Sequence, residues 1–470
     1  MRGRIALLCT VALLAAASLT LAACGAGASG AASSPTPAAS ASSSAAPSPP
    51  GGAAPGAPPN GSSTGGQGGA PGGSTARYTP TGASTLKGGS ATRANATYAA
   101  SGADQSAILA ASSAKLTLTD PTITKSGDSK SSDESSFYGL NAGVLATSGA
   151  RVAISGGSVT TTGAGANGVF AYGSGSSVAV SSATIRATAR YAHGAMASGG
   201  GSISLTNVRI TTTGANSAAV ATDRGGGTAV VRGGTILTSG RDAPGLYSTG
   251  VFKVSGARIT ATAAEGAVIE GSNSISLANT SLTGATNGVM LYQSGSGDAQ
   301  QGTATLSING GSLTARGEAI GTRFPSGNAF FVDNTTAVIK VKGGATIKSA
   351  GDLIAAASSG KVTFSAAGET LAGNVVTDST SSASLTLTGA TTLTGTIAKA
   401  ALTLDSSSKW RVTADSTLTG LSDKGGVSGR SITNIVGNGH TVTYDAGLAA
   451  DKYLGGKTYS LVDGGSLVPR

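Results

Sequence analysis

Two histidines, two cysteines and a scatter of carboxylates are the residues of this 470-residue chain that could do chemistry. His193 stands in a loop before a glycine, and His440 lies near the C-terminus. Neither has a carboxylate pair beside it, so no Ser–His–Asp relay is expected. The acids that share a position are Glu265, Glu318 and Asp352, each just before a short apolar run. If successive runs stack about 4.8 Å apart, these acids fall in one column with Asn167, His193, Ser217, Pro244 and Asn287. A calcium ion needs several oxygen ligands converging on it, and this column is where such a site would form. Its residue types fit a row of polar turns better, with Asn at tight bends. No metal, other cofactor or catalytic residue is expected. Threonines at Thr160–Thr162, Thr211–Thr213 and Thr260–Thr262 suggest an ice-binding face, but Arg186 and Lys348 interrupt it.

Cys24 is the thiol with a defined fate. Arg2 and Arg4 precede the apolar stretch Ile5–Thr20, and Leu21-Ala-Ala-Cys24 matches a lipobox, in which the cysteine takes a diacylglycerol and becomes the new N-terminus. More than one acyl chain makes such anchoring stable. Residues 1–23 are thus expected to be a lipoprotein signal peptide. Cys9 leaves with it, which excludes a disulfide or a cysteine–metal site in the mature chain. Residues 24–97 are expected to be a lipidated N-terminus and a disordered linker. Most of the 14 prolines fall between Pro35 and Pro80, among Ala, Gly and Ser, and such a stretch buries too little apolar surface to offset its ordering entropy.

The elements that must position everything else form a repeat. Val152 and Ile154 alternate with polar residues, a Gly/Ser turn follows, and Val159 comes seven residues after Val152. The same figure returns at Val178/Val180/Ile185, Ile203/Leu205/Ile210, Ala229/Val231/Ile236, Phe252/Val254/Ile259, Ile275/Leu277/Leu282 and Leu306/Ile308/Leu313, with Leu116/Leu118/Ile123 before them. The copies recur at roughly 23 to 26 residues, within the range of solenoid repeats. Each also has a third short apolar segment, usually opened by glycine, such as Gly168-Val-Phe-Ala and Gly288-Val-Met-Leu. Period-two alternation between Gly, Ser and Asn clusters is a strand signature. One such strand triplet cannot bury its apolar face alone, but a stack can share one core. The fold is therefore expected to be all-β, a single parallel β-helix over residues 98–408, closed by a C-terminal β cap over 409–470. Insertions are expected at Lys125 to Phe137, Gln293 to Gly302 and Arg323 to Thr336.

With these segments the chain resembles the right-handed parallel β-helices of pectin-lyase-like form, over about residues 101–469. Among them it is most similar to autotransporter-passenger (pertactin-like) adhesins. The run Lys409-Trp-Arg-Val-Thr-Ala-Asp-Ser-Thr-Leu-Thr-Gly-Leu followed by Ile432-Thr-Asn-Ile-Val-Gly-Asn-Gly-His looks like the closing segment of such passengers. The resemblance, with the crossover preference of parallel strands, implies right-handedness. It is expected to depart from the family in lacking a translocator barrel after Arg470.

Counted from each opening glycine or its equivalent, the second position of the third segment reads Phe170, Met196, Val220, Tyr247, Val268, Met290, Ile320. The fourth includes Tyr172, Glu270 and Tyr292. Only one alternate set can face the core, and Glu270 in a lumen would be an unpaired buried charge. Phe170, Tyr172, Met196, Tyr247, Met290 and Tyr292 are therefore expected to face outward as an exposed ligand-binding stripe.

The formal net charge of +10 is carried by cations dispersed singly, Arg186, Arg209, Arg232, Lys253, Arg258 and Arg316 among them. They read as solvated charge with some affinity for anionic wall polymers, headgroups or acidic glycans. No clustered basic stripe with stacking aromatics is visible, so nucleic acid is not an expected partner. The expected protein is a monomeric bacterial lipoprotein, anchored through lipid to the outer face of a membrane. Its β-helix would be exposed at the cell surface and adhesive or structural, with a glycan, wall polymer or surface protein as partner. The alternative is a polysaccharide lyase or hydrolase of pectin-lyase-like form.

Overall fold

A computed structural model describes residues 79–321 and 324–470. Cys24 and the signal segment lie outside the described residues. The described chain is a parallel β-solenoid of about 15 turns with almost no helix. Stacked about 4.8 Å apart, these turns span roughly 70 Å.

Each repeat contributes one strand to each of three ladders. The first ladder runs through Lys115–Thr119, Arg151–Ser155, Ser177–Ser181, Gly201–Thr206, Gly227–Arg232 and Val251–Ser255. The second runs through Thr122–Lys125, Ser158–Thr161, Thr184–Ala187, Arg209–Thr212, Thr235–Thr238 and Arg258–Ala261. The third includes Val144–Thr147, Val169–Tyr172, Ala195–Ser198, Leu246–Ser248, Ala267–Glu270, Val289–Tyr292 and Phe330–Asp333. Register is set by side-chain type: Val152, Val178 and Ile203 stack in one row, and Val159, Ile185 and Ile210 in another. All of these residues are buried in one continuous core. The corner between the first two ladders is tight. At Gly234 (φ +85°) an added Cβ would lie 2.4 Å from the Val208 carbonyl oxygen, so only glycine fits there.

The solenoid begins earlier than expected. Thr81–Lys87, Ser90–Ala94 and Thr97–Ala100 are already strands, paired in parallel with Gln105–Ala111, Lys115–Thr119 and Thr122–Lys125. Assigning all of 24–97 to a linker is thus corrected to a turn that starts at Thr81. With no turn below it among the described residues, this first turn keeps only a half-buried alternation and carries few large apolar residues, so its pattern is faint.

At the other end the parallel stacking continues to Pro469, joined by short antiparallel pairs. Trp410 is fully buried and donates from Nε1 to the Gly395 carbonyl at 2.9 Å. Beyond it, Val427–Ser428 pairs antiparallel with Ser431–Val436, and Tyr459–Val462 with Ser466–Pro469. These pairings occupy strand edges that a bare stack would leave open.

Candidate functional site

The third ladder is buried on both faces, and its outer face is where the candidate side chains gather. Val169, Ala171, Val289 and Leu291 face the shared lumen. Phe170, Met196, Tyr247, Val268, Met290 and Tyr292 point the other way and form a second, separate apolar cluster with Leu145, Ala221 and Phe331. Their outward direction is as expected from alternation. Their exposure is not: Phe170, Met196, Tyr247, Met290 and Tyr292 are each at most 1% accessible, and Tyr172 is half-buried. The expectation of an exposed ligand stripe is therefore corrected. Two members of the row also change. Val220 pairs with Ala195 and faces the lumen, leaving Ala221 in the outward place. Phe331 pairs with Met290, where Ile320 was expected.

The chain's own insertions cover this face. In the first, helix α1 (Ser132–Tyr138) starts at Ser131, whose hydroxyl accepts from the Glu134 amide at 3.2 Å, and ends at Gly139 in the left-handed region. Ser131-x-x-Glu134 is a capping-box spacing and glycine a common stop, so this helix had a local signal that periodicity does not carry. Gly139 lies against the Phe170 ring, where a Cβ would approach to 2.7 Å. The Ser198 hydroxyl donates to the Phe137 carbonyl at 2.6 Å, and Tyr138 meets Tyr172 edge-on with centroids 5.5 Å apart. In the later insertions, Ala299 and Asp298 are buried, and Phe324 packs on Phe331 at 5.7 Å.

Under this cover lies a group of carboxylates and phenols. Glu270, fully buried, accepts from the hydroxyls of Tyr247, Tyr292 (2.9 Å) and Ser294. These donors answer the unpaired-charge objection. Asp223 is also buried; its Oδ1 accepts from the Arg224 amide at 2.7 Å, and its Oδ2 has no hydrogen-bond partner among the described residues. Burial, reinforced by the Asp298 charge, pushes the Asp223 carboxyl well above its usual range. Burial and the Glu270 carboxylate likewise raise both buried phenols. The Arg224 guanidinium reaches Asp298 at 2.8 Å and stacks over the Phe137 ring at 3.9 Å. On α1, burial followed by Asp298 raises Asp133. Chemically, this arrangement ties the cover to the ladder by hydrogen bonds and one ion pair. Nothing in the repeat spacing pointed to Asp223, Arg224 or Asp298, which meet only because loops from distant turns fold onto one face.

The expected acid column does not form as a set. Glu265 is buried, and burial raises its carboxyl; Asn287 is in the next turn, then Asn328, then Asp352. Glu318 is displaced into the insertion before Phe330, where it meets Arg316 at 3.6 Å. The reason is a mistaken third segment: Phe330–Asp333, not the stretch around Ile320, continues the ladder. Among the described residues no three His, Cys, Asp or Glu side chains stand close enough together to hold a metal ion. His193 is buried, and burial lowers its imidazole to about 4. His440 is half-exposed, 3.8 Å from Asp415. Set against known proteins, the chain matches no family model and no curated protein.

Proposed function

We propose that this chain is a lipid-anchored bacterial surface lipoprotein whose β-solenoid is adhesive or structural. The observation that carries the reading is the allocation of its two kinds of surface. All the clustered aromatic and Met side chains outside the lumen are roofed by the chain's own insertions. The first two ladders present rows made mainly of hydroxyls and cations along the solenoid, with Leu237 and Val251 exposed among them. A rigid body of about 15 turns, held by Cys24 and the Pro/Gly/Ser stretch after it, suits display and contact. We infer kinship with pertactin-like passengers from the Trp410 segment. Cys24→Ser should move the protein from the membrane fraction to the soluble envelope or medium, and a palmitate analogue should label only the wild type. No labelling of the wild type would refute the anchor. A glycan array with the purified chain would identify an adhesive ligand.

One observation favours the second reading, a glycan-cleaving enzyme: Glu270 and Asp223 lie buried near one another, with a raised carboxyl on Asp223. Such an enzyme would release reducing ends or unsaturated products from acidic glycans, and Glu270→Gln would abolish that release.

A further inference from the structure

The basic residues are single along the sequence but not in space. Four consecutive turns place one guanidinium each around the corner between the first and second ladders. Arg232 ends its first-ladder strand, immediately before the corner. Arg209 and Arg258 open their second-ladder strands, immediately after it. Arg186 lies two residues beyond the start of its own. With Lys253 on the adjoining first-ladder strand, five cations occupy a stripe of roughly 14 Å along the axis. All five are exposed, and none makes an ion pair among the described residues. No Asp or Glu occurs on any strand of either ladder from Lys115 to Ser349. The carboxylates lie instead in turns, loops and the third ladder, where those that pair find other partners, as Asp298 finds Arg224 and Asp242 finds Arg241. Segregation of this kind leaves a field of one sign along a rigid ridge.

We propose that this arginine ridge binds a linear phosphodiester polymer of the cell wall, laid along the solenoid axis. This deepens the proposed surface role and rests on it for its setting. Three observations select the partner. Four of the five cations of the ridge are guanidiniums, whereas Lys115, Lys340, Lys342, Lys348 and Lys361 outnumber arginines such as Arg151 on the same ladders elsewhere. Guanidinium is the cation whose planar fork grips phosphate oxygens in pairs. Second, the arms come from both sides of a corner: Arg232 from one ladder, Arg209 and Arg258 from the other. Arms set on two sides suit a chain of tetrahedral phosphodiesters, whose oxygens accept from several directions. Third, the outward residues between the arginines are Thr184, Thr211, Thr235 and Thr260 with one exposed leucine, Leu237, and no outward aromatic side chain on these strands. Hydroxyls suit a polyol backbone, while single-stranded nucleic acid would call for stacking platforms.

The test uses the full-length chain carrying Cys24→Ser, so that no lipid contributes, and titrates poly(glycerol phosphate) at 50 and 200 mM salt. Arg186→Gln/Arg209→Gln/Arg232→Gln/Arg258→Gln should weaken binding at least tenfold and flatten the salt dependence, because fewer phosphates are neutralised. Lys340→Gln/Lys342→Gln/Lys348→Gln/Lys361→Gln removes the same charge elsewhere and should stay within threefold of the parent. Equal loss in both variants would mean diffuse charge and overturn the proposal. Binding of polygalacturonate, duplex DNA or anionic phospholipid vesicles as tight as that of the polymer would overturn it too. If the quadruple arginine variant melts early, Arg209→Gln and Arg258→Gln singly decide, each with an expected loss of about threefold. Fractionation of the wild type fails or succeeds independently of these titrations, so loss of the anchor and loss of the ridge are told apart.

Discussion

Phe170 and Thr211 both point away from the lumen of one solenoid, yet Phe170 is fully buried and Thr211 is partly open to solvent. Inward, their ladders are alike: Val169 and Ala171, like Ile210 and Ile236, belong to one continuous core. The difference is in the outward set, aromatic and Met on the third ladder, mainly hydroxyl and cation, with Leu237 exposed among them, on the second. An outward apolar row is stable only when something covers it, and here loops from three separate turns do so. Periodicity reports which way a side chain points; it does not report what lies on top.

The largest effect should come from the core the ladders share. Ile210→Asp or Ile259→Asp would place an unpaired charge in it and should cost on the order of 4 kcal/mol or more, read as loss of the folding transition in denaturant. The comparison itself is sharpest in a pair of outward truncations. Phe170→Ala should destabilise by about 3 kcal/mol, as for a buried aromatic, and Thr211→Ala by no more than about 0.5 kcal/mol. Equal melting shifts would mean the roof is not part of the cooperative fold. Ser131→Ala removes only the helix cap of that roof and should cost about 1 kcal/mol, with protease sensitivity rising first near α1.

The smallest effect concerns pH and sets the cap against the body of the solenoid. Burial raises the Asp423 carboxyl to about 6. A raised folded-state value means that its contribution is full below about 4, the unfolded value, and is lost as pH rises through about 6. His193, lowered to about 4 by burial, works in the opposite sense: its contribution is full above about 6.5 and is lost as pH falls through about 4. As pH rises from 4 to 6, Asp423→Asn should therefore shift the change in stability in the favourable direction relative to wild type, and His193→Asn should shift it in the unfavourable direction. Melting curves of the two variants across that range would check both signs.

The repeat made the lumen legible: Val152, Ile154 and Val159 and their equivalents are inward in turn after turn because alternation and glycine corners are local properties of sequence. The outward direction of Phe170 and Tyr247 was legible for the same reason, with Glu270 as the deciding residue. Three things were not. The strand Thr81–Lys87 has a single large apolar residue, Leu86, too few to announce a strand. The segment around Ile320 imitates a glycine-led strand, while the ladder continues at Phe330 after a longer insertion. Contact between Arg224 and Asp298, 74 residues apart, depends on loop docking that no period encodes.

In a solenoid each turn ordinarily touches only its neighbours, and disruption can travel one turn at a time. The roof changes that mechanically. Phe137 is bonded to Ser198, 61 residues along the chain, while its ring carries Arg224, itself tied to Asp298. A pull on the chain at Thr81 would peel the first, half-buried strands singly, then meet a staple that loads several turns at once. Force spectroscopy should register that staple as a single tall rupture between smaller, evenly spaced ones, and Arg224→Ala should lower it.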